Sequence, residues 1–194
     1  MNAPRRIVAL IICLLFLSGA ALAQGYPDKP VRLVVPWPPG GSVDIIGRLI
    51  GVKLGQMLGQ PIVIENRSGA SGNIGMDTVA KSRPDGYTLV LNTIPLATNP
   101  SLFAQMPFDV SKDFAPIALI AKMPHLLIAT QALPVGNMRE LLTLAKSKPG
   151  NLTYSSAGNG STFHMAGELF KYLSNTVVVH VPYRGGGPAL TDAV

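Results

Sequence analysis

Cysteine is nearly absent: the 194 residues include only Cys13, which lies in an apolar run near the N-terminus. If the chain is cleaved after Ala23, the mature protein has none, which excludes disulfide bonds, a thiol nucleophile and cysteine-ligated metals. Long apolar runs are also lacking beyond that point. The nearest candidate for a membrane span, residues 117–130, is interrupted by a lysine, a proline and a histidine, so we interpret it as two strands around a turn.

Charged residues are few and do not cluster by sign. Sixteen Lys and Arg against ten Asp and Glu give a formal net charge of +6, which falls to +4 if Arg5 and Arg6 are removed with a signal peptide. The basic residues are scattered rather than arranged in a stripe, so we expect no nucleic-acid partner. A small positive balance favours the approach of an anion, although only weakly.

Sequence motifs for cofactors, metals and hydrolysis are missing as well. Phe163 stands where a dinucleotide-binding fingerprint begun at Gly158 requires glycine, and there is no Gly-Lys-Ser/Thr or Gly-x-Ser-x-Gly. The three histidines lack the His-Glu-x-x-His spacing. We therefore expect no cofactor, no metal and no enzymatic activity. One catalytic alternative stays open, in which Ser161 and His164 act together, although no third orienting group is visible.

The first 23 residues have the features of a secretory signal peptide. Arg5 and Arg6 form a positive region, residues 7–17 are apolar, and Ala21 and Ala23 place small residues at the two positions that a signal peptidase reads. The apolar run is shorter than the roughly 20 residues that a transmembrane helix needs. We therefore predict export to the periplasm, and the alternative is a retained N-terminal anchor.

Beyond residue 23, short β-rich runs alternate with helical patterns. Such alternation is typical of βαβ units around a mostly parallel sheet, and it predicts an α/β fold. The pattern predicts strands at residues 31–35, 62–64, 88–91, 117–120, 126–128, 152–154 and 177–181, helices at 43–58, 73–81, 138–146 and 162–173, and a further helix from Ala189. Residues 94–110 contain three prolines and are predicted to be irregular.

Three glycine-rich loops join a predicted strand to the helix that follows it. The strongest is Pro-Trp-Pro-Pro-Gly-Gly-Ser-Val-Asp at residues 36–44, in which Gly41 or Ser42 would be the helix N-cap, and the others are residues 157–162 and 183–188. Backbone N–H groups at a helix N-terminus lack an intrahelical partner and favour negative charge, and glycine lets a ligand approach them. Because such loops lie at the carboxyl ends of parallel strands, we predict an anion-binding site there.

Individual side chains near these loops allow more than one interpretation. We favour Trp37 as a wall of the pocket over a core residue, because prolines flank it in the loop. Asp44 would help to cap the helix, and it would repel an anion placed close to it. His164 either faces the pocket or has a capping or packing role, and both interpretations stay open. Arg184 is expected to be a solvated charge.

Five segments together resemble one family of proteins. They comprise the loop at residues 36–44, the run Val-Ile-Glu-Asn-Arg-Ser-Gly-Ala-Ser-Gly-Asn-Ile-Gly at 63–75, Pro-Asp-Gly-Tyr-Thr at 84–88, Asp-Phe-Ala-Pro-Ile at 113–117, and Val-Pro-Tyr-Arg-Gly at 181–185. The set is similar to the Bug family, the extracytoplasmic solute receptors of tripartite tricarboxylate transporters. The resemblance covers essentially the whole chain beyond residue 23. Ser68 and Ser71 depart from it, since proline and glycine are frequent in that loop.

The resemblance implies a periplasmic-binding-protein-like (type II) α/β fold with two hinged lobes and a small carboxylate held between them. Residues 1–23 would then be the signal peptide, 24–121 the first lobe and 122–194 the second. Because the chain stops where a helix begins, we expect the second lobe to be truncated. The implied partners are the carboxylate and the permease subunits of the transporter, and a ligand-sensing periplasmic signalling component is the alternative role.

The resemblance also implies which residues would hold the ligand. One wall would be formed by the first loop and the end of the third strand, the other by the loop and helix start after residue 157, and the floor by the last loop. The residues concerned are Pro36, Trp37, Pro39, Gly40, Gly41, Asp44, Asn92 and Thr93; then Gly158, Asn159, Gly160, Ser161 and His164; and finally Tyr183 and Gly185.

Overall fold

The computed structural model describes residues 25–194, so the predicted signal peptide and Cys13 lie outside the described residues. This part of the chain contains five strands and six α-helices, numbered in chain order. The strands are β1 (Val31–Val35), β2 (Ile62–Asn66), β3 (Thr88–Val90), β4 (Thr153–Ser156) and β5 (Val179–Pro182), and the helices are α1 (Ser42–Leu58), α2 (Asn73–Ala80), α3 (Pro95–Leu102), α4 (Met138–Ser147), α5 (Thr162–Ser174) and α6 (Gly186–Ala193).

The first sheet is parallel and has the strand order β2-β1-β3. In its register Leu33 of β1 lies opposite both Ile64 and Leu89. The central strand β1 is apolar except for one arginine, and its apolar residues are buried. A strand covered on both faces requires such a run. Because all three strands run in the same direction, the loops that follow them leave from one edge of the sheet.

Helix α1 packs closely on this sheet through glycines on one face. A Cβ added at Gly47 would lie 3.2 Å from Cγ2 of Val35, and one added at Gly51 would lie 3.1 Å from Cδ1 of Ile64. The helix ends at Gly59, whose φ of 69° is the left-handed conformation that favours glycine at this position. The glycines therefore let the helix backbone approach β1 and β2.

The second sheet contains the parallel pair β4 and β5, in which Tyr154 lies opposite His180. Helix α5 connects the two strands, and α6 follows β5 and packs against β4. The prediction of an α/β fold with parallel strands is thus confirmed. The two sheets lie on either side of residue 121, and the lobe boundary placed there stays a prediction.

Two of the predicted strands, residues 117–120 and 126–128, are wrong. No strand or helix forms between residues 114 and 130, where Ile117 is 80% exposed and Leu126 is 85% exposed. A strand depends on a neighbour that pairs with its N–H and C=O groups. Among residues 25–194 no strand pairs with this segment, so its β-rich composition alone does not produce one.

The prediction that residues 94–110 are irregular is wrong for residues 95–102, which form α3. Pro95 is the first residue of this helix, where the missing N–H would have no intrahelical acceptor. Pro100 lies inside the helix and removes one hydrogen bond, but the helix ends two residues later. The prolines therefore shorten the helix without preventing it.

Helix α6 begins at Gly186 and not at Ala189 as predicted. The three residues before Ala189 are two glycines and a proline, and they occupy positions whose N–H groups need no intrahelical acceptor. The remaining predicted strands and helices are confirmed, with ends that differ by no more than two residues. No helix within residues 25–194 is both long and apolar enough to cross a membrane.

Candidate ligand-binding site

Predicted site residues of the first lobe meet where β1 and β3 end. Nε1 of Trp37 donates a hydrogen bond to Oδ1 of Asn92 at 3.3 Å, and Thr93 follows directly in the chain. The Trp37 and Thr93 side chains are half-buried, Pro36 is buried and Pro39 is exposed. The indole therefore spans from one loop to the next and is partly open to solvent.

Asp44 is 3% exposed, and its carboxylate organises the first loop. Its Oδ2 accepts from the Gly40 N–H at 2.9 Å and from Nε of Arg48 at 3.0 Å, and its Oδ1 accepts from Nδ2 of Asn66 at 2.9 Å. The Arg48 and Gly40 hydrogen bonds outweigh burial and lower the pKa of Asp44 to about 2. Since this carboxylate and the Gly40 N–H are already engaged with each other, these two residues shape the loop.

The N-terminus of α1 has no side-chain cap. Gly41 is the N-cap residue. The first hydrogen bond of the helix runs from the Ile45 N–H to the Gly41 carbonyl at 3.0 Å. The N–H groups of Ser42, Val43 and Asp44 precede that bond and have no acceptor in the helix. Together they form a partial positive charge at the edge where β1 ends. Such an end can hold an anion without any lysine or arginine.

The loop after β4 is held by hydrogen bonds from its own amides. The Gly160 N–H donates to Nδ1 of His164 at 3.0 Å, and the Gly158 N–H donates to Oγ of Ser156 at 3.1 Å. Ser161 is buried and is the N-cap of α5, where its Oγ accepts from the His164 N–H at 3.3 Å. His164 therefore supports both the loop and the helix that follows it.

Three aromatic rings are stacked beside this loop. The ring centroids of His164 and His180 are 4.1 Å apart, and those of His180 and Tyr154 are 4.9 Å apart. Burial, more than any charge, lowers the pKa of both histidines. Of these three residues, only His164 is a predicted site residue. The missed signal is the placement of Tyr154 and His180 on adjacent strands, because residues directly opposite each other share one face.

Loops of the first and second lobes contact each other. The Ser71 hydroxyl donates to the Asn159 carbonyl, so the loop after β2 touches the loop after β4. A Cβ added at Gly160 would lie 3.0 Å from Oδ1 of Asn99, in α3. Asn159 itself is exposed. The structure thus places predicted residues of the second wall beside the first lobe.

The N-terminus of α6 also lies against the first loop. Its N-cap residue, Gly185, is buried with a φ of 115°, and a Cβ added there would lie 3.3 Å from Cγ of Pro38. Gly41, the N-cap residue of α1, lies near the same proline, since a Cβ there would lie 3.5 Å from the Pro38 carbonyl. The uncapped N-termini of α1 and α6 therefore both lie at Pro38, one from each lobe.

Tyr183 and Arg184 occupy the loop before α6. The Tyr183 N–H donates to the Ser156 carbonyl at 3.0 Å, and its hydroxyl donates to Asp192 of α6. The bond to Asp192 raises the pKa of the Tyr183 hydroxyl. Arg184 is exposed, as a solvated charge would be. Tyr183 thus braces the loop through both its backbone and its side chain.

Two open grooves lie away from these loops. One of about 550 Å³ runs between α1 and β2, and another of about 370 Å³ lies beside α4. Their linings are mainly apolar and include none of the loop residues described above. A small anion requires several convergent hydrogen-bond donors, and the strand-to-helix loops supply them as backbone N–H groups. The grooves offer only separate polar side chains among apolar ones, such as Arg48 and Gln56 in the first and Arg139 in the second.

Neither Ser161 with His164 nor Ser156 with His180 is arranged as an accessible nucleophile and base. The Oγ of Ser161 is used as a helix cap, and the His164 ring bonds to Gly160 instead of to that hydroxyl. Ser156 lies 2.6 Å from Nε2 of His180, but it is 1% exposed, so a substrate carbonyl could not reach it. Groups of three or more potential metal ligands are absent from residues 25–194.

Two parallel sheets, with strand-to-helix loops that converge from both lobes, define a periplasmic-binding-protein-like fold of the kind that binds ligands at strand ends. The chain belongs to the tripartite tricarboxylate transporter family of receptors, whose sequence pattern matches residues 46–194. The resemblance to the Bug family is thereby confirmed. The family and its solved relatives are binding receptors, not enzymes.

Individual relatives agree with this assignment. Protein BugT of Bordetella pertussis is 35% identical over 99% of this chain and 60% of its own length. The R. palustris protein Rpa4515, solved with adipate, is 41% identical with a TM-score of 0.83, and MatC of Rhodopseudomonas palustris, solved with bound malate, is 36% identical with a TM-score of 0.74. These two matches cover 87% of this chain and 56% and 57% of the solved chains. The chain therefore spans less than two thirds of the length of these relatives.

Proposed function

We propose that this chain is an extracytoplasmic solute receptor that binds a small carboxylate between its lobes for a tripartite tricarboxylate-type transporter. The observation that carries the proposal is the meeting of two uncapped helix N-termini at Pro38, one from each lobe. Each N-terminus stabilises an anion by about 0.3–1 kcal/mol when exposed and up to about 2 kcal/mol when partly buried. An anion held by both would favour the closed arrangement of the lobes.

The ligand class follows from the same geometry and from two relatives. Helix N-termini and glycine amides recognise a carboxylate through N–H groups, and they require no charged side chain. Rpa4515 was solved with adipate and MatC with malate, and both ligands carry two carboxylates. A ligand with two carboxylates could contact both lobes at once, which supports a dicarboxylate as the first candidate.

Location and partner are further parts of the proposal. Residues 1–23 would direct export and be removed after Ala23, which would place the receptor in the periplasm. The closed, ligand-bound form would then contact the permease subunits in the membrane. The mass of the protein recovered from the periplasm tests the first point, because cleavage removes residues 1–23.

Calorimetric titration of the purified chain with adipate and malate tests the ligand class. Adipamide is the matched control, because it keeps the length of adipate and one acceptor oxygen at each end but carries no charge. We expect at least one of the two acids to bind and the diamide not to bind. Equal binding of acid and diamide, or no binding of either acid, would overturn the proposal that the loops bind a carboxylate through its charge.

A further inference from the structure

We propose that His164 is a positioning residue: its neutral ring holds the loop at residues 158–160 in the shape that receives ligand, and proton uptake by the ring releases that loop. The effect on ligand rests on the proposed function. The effect on the loop does not, since it depends only on the contact between Gly160 and His164.

The hydrogen-bond geometry allows His164 only one neutral form. Its Nδ1 accepts from the Gly160 N–H at 3.0 Å, so the ring proton must be on Nε2. Nδ1 then carries the only lone pair that a second proton can use. Once protonated, Nδ1 becomes a donor that faces another donor, and the bond to Gly160 breaks. Release of Gly160 is therefore a necessary consequence of charging this ring.

His180 differs from His164, although their rings are stacked. Its Nε2 lies 2.6 Å from Oγ of Ser156, and that hydroxyl also lies 3.2 Å from the Gly158 carbonyl. If His180 takes up a proton, Ser156 can turn its hydrogen to Gly158 and still accept from the ring. Two charged rings at 4.1 Å would repel each other, so the first proton taken up by the pair disfavours a second.

The remaining charged groups around His164 influence the pKa of its ring. On α5, Oε1 of Glu168 lies 3.8 Å from Nε2 of His164, and Lys171 donates to the same carboxylate at 2.8 Å. From β4, the Tyr154 hydroxyl donates to Glu168 at 2.7 Å. The only titratable group of α6, Asp192, is paired with Tyr183. The Glu168 carboxylate thus favours the protonated form of His164, and its hydrogen bonds to Lys171 and Tyr154 weaken this effect.

The balance of these contributions keeps the ring neutral under ordinary conditions. Burial lowers the pKa of His164 below its usual value of 6.5, and Lys171 acts in the same direction while Glu168 opposes both. The loop is therefore supported at neutral pH and is released only as the pH falls through this lowered pKa, which lies below 6.5. Affinity for ligand should then fall by up to about tenfold for each pH unit below the His164 pKa.

NMR of the ligand-free protein labelled with ¹⁵N-glycine tests the response of the loop directly. Between pH 8 and pH 5, we expect the Gly160 amide signal to shift with the same midpoint as the His164 ring signals. The variant His164→Asn keeps an acceptor oxygen near the position of Nδ1 but cannot be charged, so its Gly160 signal should not shift. The matched control His125→Asn changes an exposed histidine whose ring packs on Phe163, and it should leave the shift of the Gly160 signal unchanged.

A Gly160 signal that does not move while the His164 ring titrates would overturn the proposal. Persistence of the full shift in the His164→Asn variant would also overturn it. Both the ring and the amide can be followed in the unaltered protein, so the result does not depend on whether the variant folds.

Calorimetry with adipate supplies the ligand measurement. The ratio of dissociation constants between the natural protein and His164→Asn cancels the titration of adipate itself. We expect the dissociation constant of the natural protein, divided by that of His164→Asn, to rise as the pH falls through the His164 pKa, by up to about tenfold for each pH unit below it. A constant ratio contradicts the ligand effect. If adipate and malate fail to bind at pH 8, the proposed function fails. The NMR experiment then still tests whether protonation of His164 releases Gly160.

Discussion

Nε of Arg48 lies 3.0 Å from Oδ2 of Asp44, and this contact turns a buried negative charge into the organising centre of the first loop. The Arg48 side chain is more than half exposed, whereas the carboxylate that it pairs with is almost fully buried. The same carboxylate accepts from the Gly40 N–H and from Asn66. Asp44 therefore joins α1, the first loop and the end of β2 through one side chain.

Replacement of Asp44 with asparagine should destabilise the fold by about 1–3 kcal/mol at pH 7. The variant cannot accept all three hydrogen bonds, and hydrogen bonds to a charged group contribute about 1.5–3 kcal/mol. Urea unfolding followed by circular dichroism measures the change. Asp77→Asn is the matched control, because half-buried Asp77 pairs with exposed Lys81 at i,i+4, and such a pair contributes at most about 1 kcal/mol. Equal losses in the two variants would contradict the central role of Asp44.

Acid should also weaken the natural protein through Asp44. Its pKa is about 2 in the folded protein and 3.8 in the unfolded chain, so the unfolded chain binds the proton more readily. The contribution to stability is present above pH 4 and is lost as the pH falls from about 4 to 2. We expect this contribution to be about 2 kcal/mol. Unfolding free energies measured from pH 5 to pH 2 should fall less steeply in Asp44→Asn than in the natural protein.

Local sequence was sufficient to predict most of the fold, because most elements carry their own signals. β1 is a continuous apolar run, and α1 combines helical spacing with a terminal glycine. Residues 117–128 have an equally clear β-rich composition but form no strand. The difference is the presence of a partner: β1 pairs with two neighbours, and residues 117–128 pair with none in residues 25–194. A local pattern cannot supply that information.

The candidate site could be predicted only in part, for a similar reason. The glycine-rich loops were visible because a strand-to-helix turn has its own composition. The roles of Asp44 and His164 depend on contacts with other parts of the chain. Asn66 is 22 residues from Asp44, and His180 is 16 residues beyond His164. Spacing along the chain therefore identified the loops but not the side chains that support them.

Alanine should change the free energy of unfolding differently at two helical glycines, Gly75 and Gly51. A Cβ at Gly75 would lie 2.8 Å from the Arg67 carbonyl and 2.8 Å from Pro36, and a backbone carbonyl cannot move aside cheaply. We expect Gly75→Ala to destabilise by about 1–3 kcal/mol. A Cβ at Gly51 meets the terminal methyl of Ile64 at 3.1 Å and Ile62 at an ordinary contact distance of 3.7 Å, so the helix-propensity gain of about 1 kcal/mol should offset the contact.

Thermal and urea unfolding of the two glycine variants measures this difference. A gain in stability for Gly75→Ala would mean that α2 is farther from the first loop than the structure shows. Loss of several kcal/mol in Gly51→Ala would mean that Ile64 cannot adjust its rotamer.

Truncation of an apolar side chain should reduce stability much more in the core than in the segment at residues 114–130. Leu126→Ala should change the unfolding free energy by less than about 0.5 kcal/mol, because the side chain is 85% exposed. Leu33→Ala makes the same chemical change at a position that is 4% exposed, and it should cost roughly 2–4 kcal/mol. Urea unfolding of both variants measures the contrast. A large loss in Leu126→Ala would show that this segment is packed, against what the structure indicates.

Alanine at the start of α6 should distinguish a binding role from a purely structural one. Gly185→Ala forces an L-residue to adopt a φ of 115° and places its Cβ 3.3 Å from Pro38, whereas the Cβ of Gly187→Ala meets nothing within 4 Å. If the two helix N-termini hold one anion, the first change should weaken carboxylate binding at least tenfold and the second less than threefold, as measured by calorimetry with adipate. Backbone strain of about 1–3 kcal/mol would also lower the stability of Gly185→Ala. Affinity must therefore be compared at a temperature where both variants are fully folded, and equal affinities there would place the carboxylate away from Pro38.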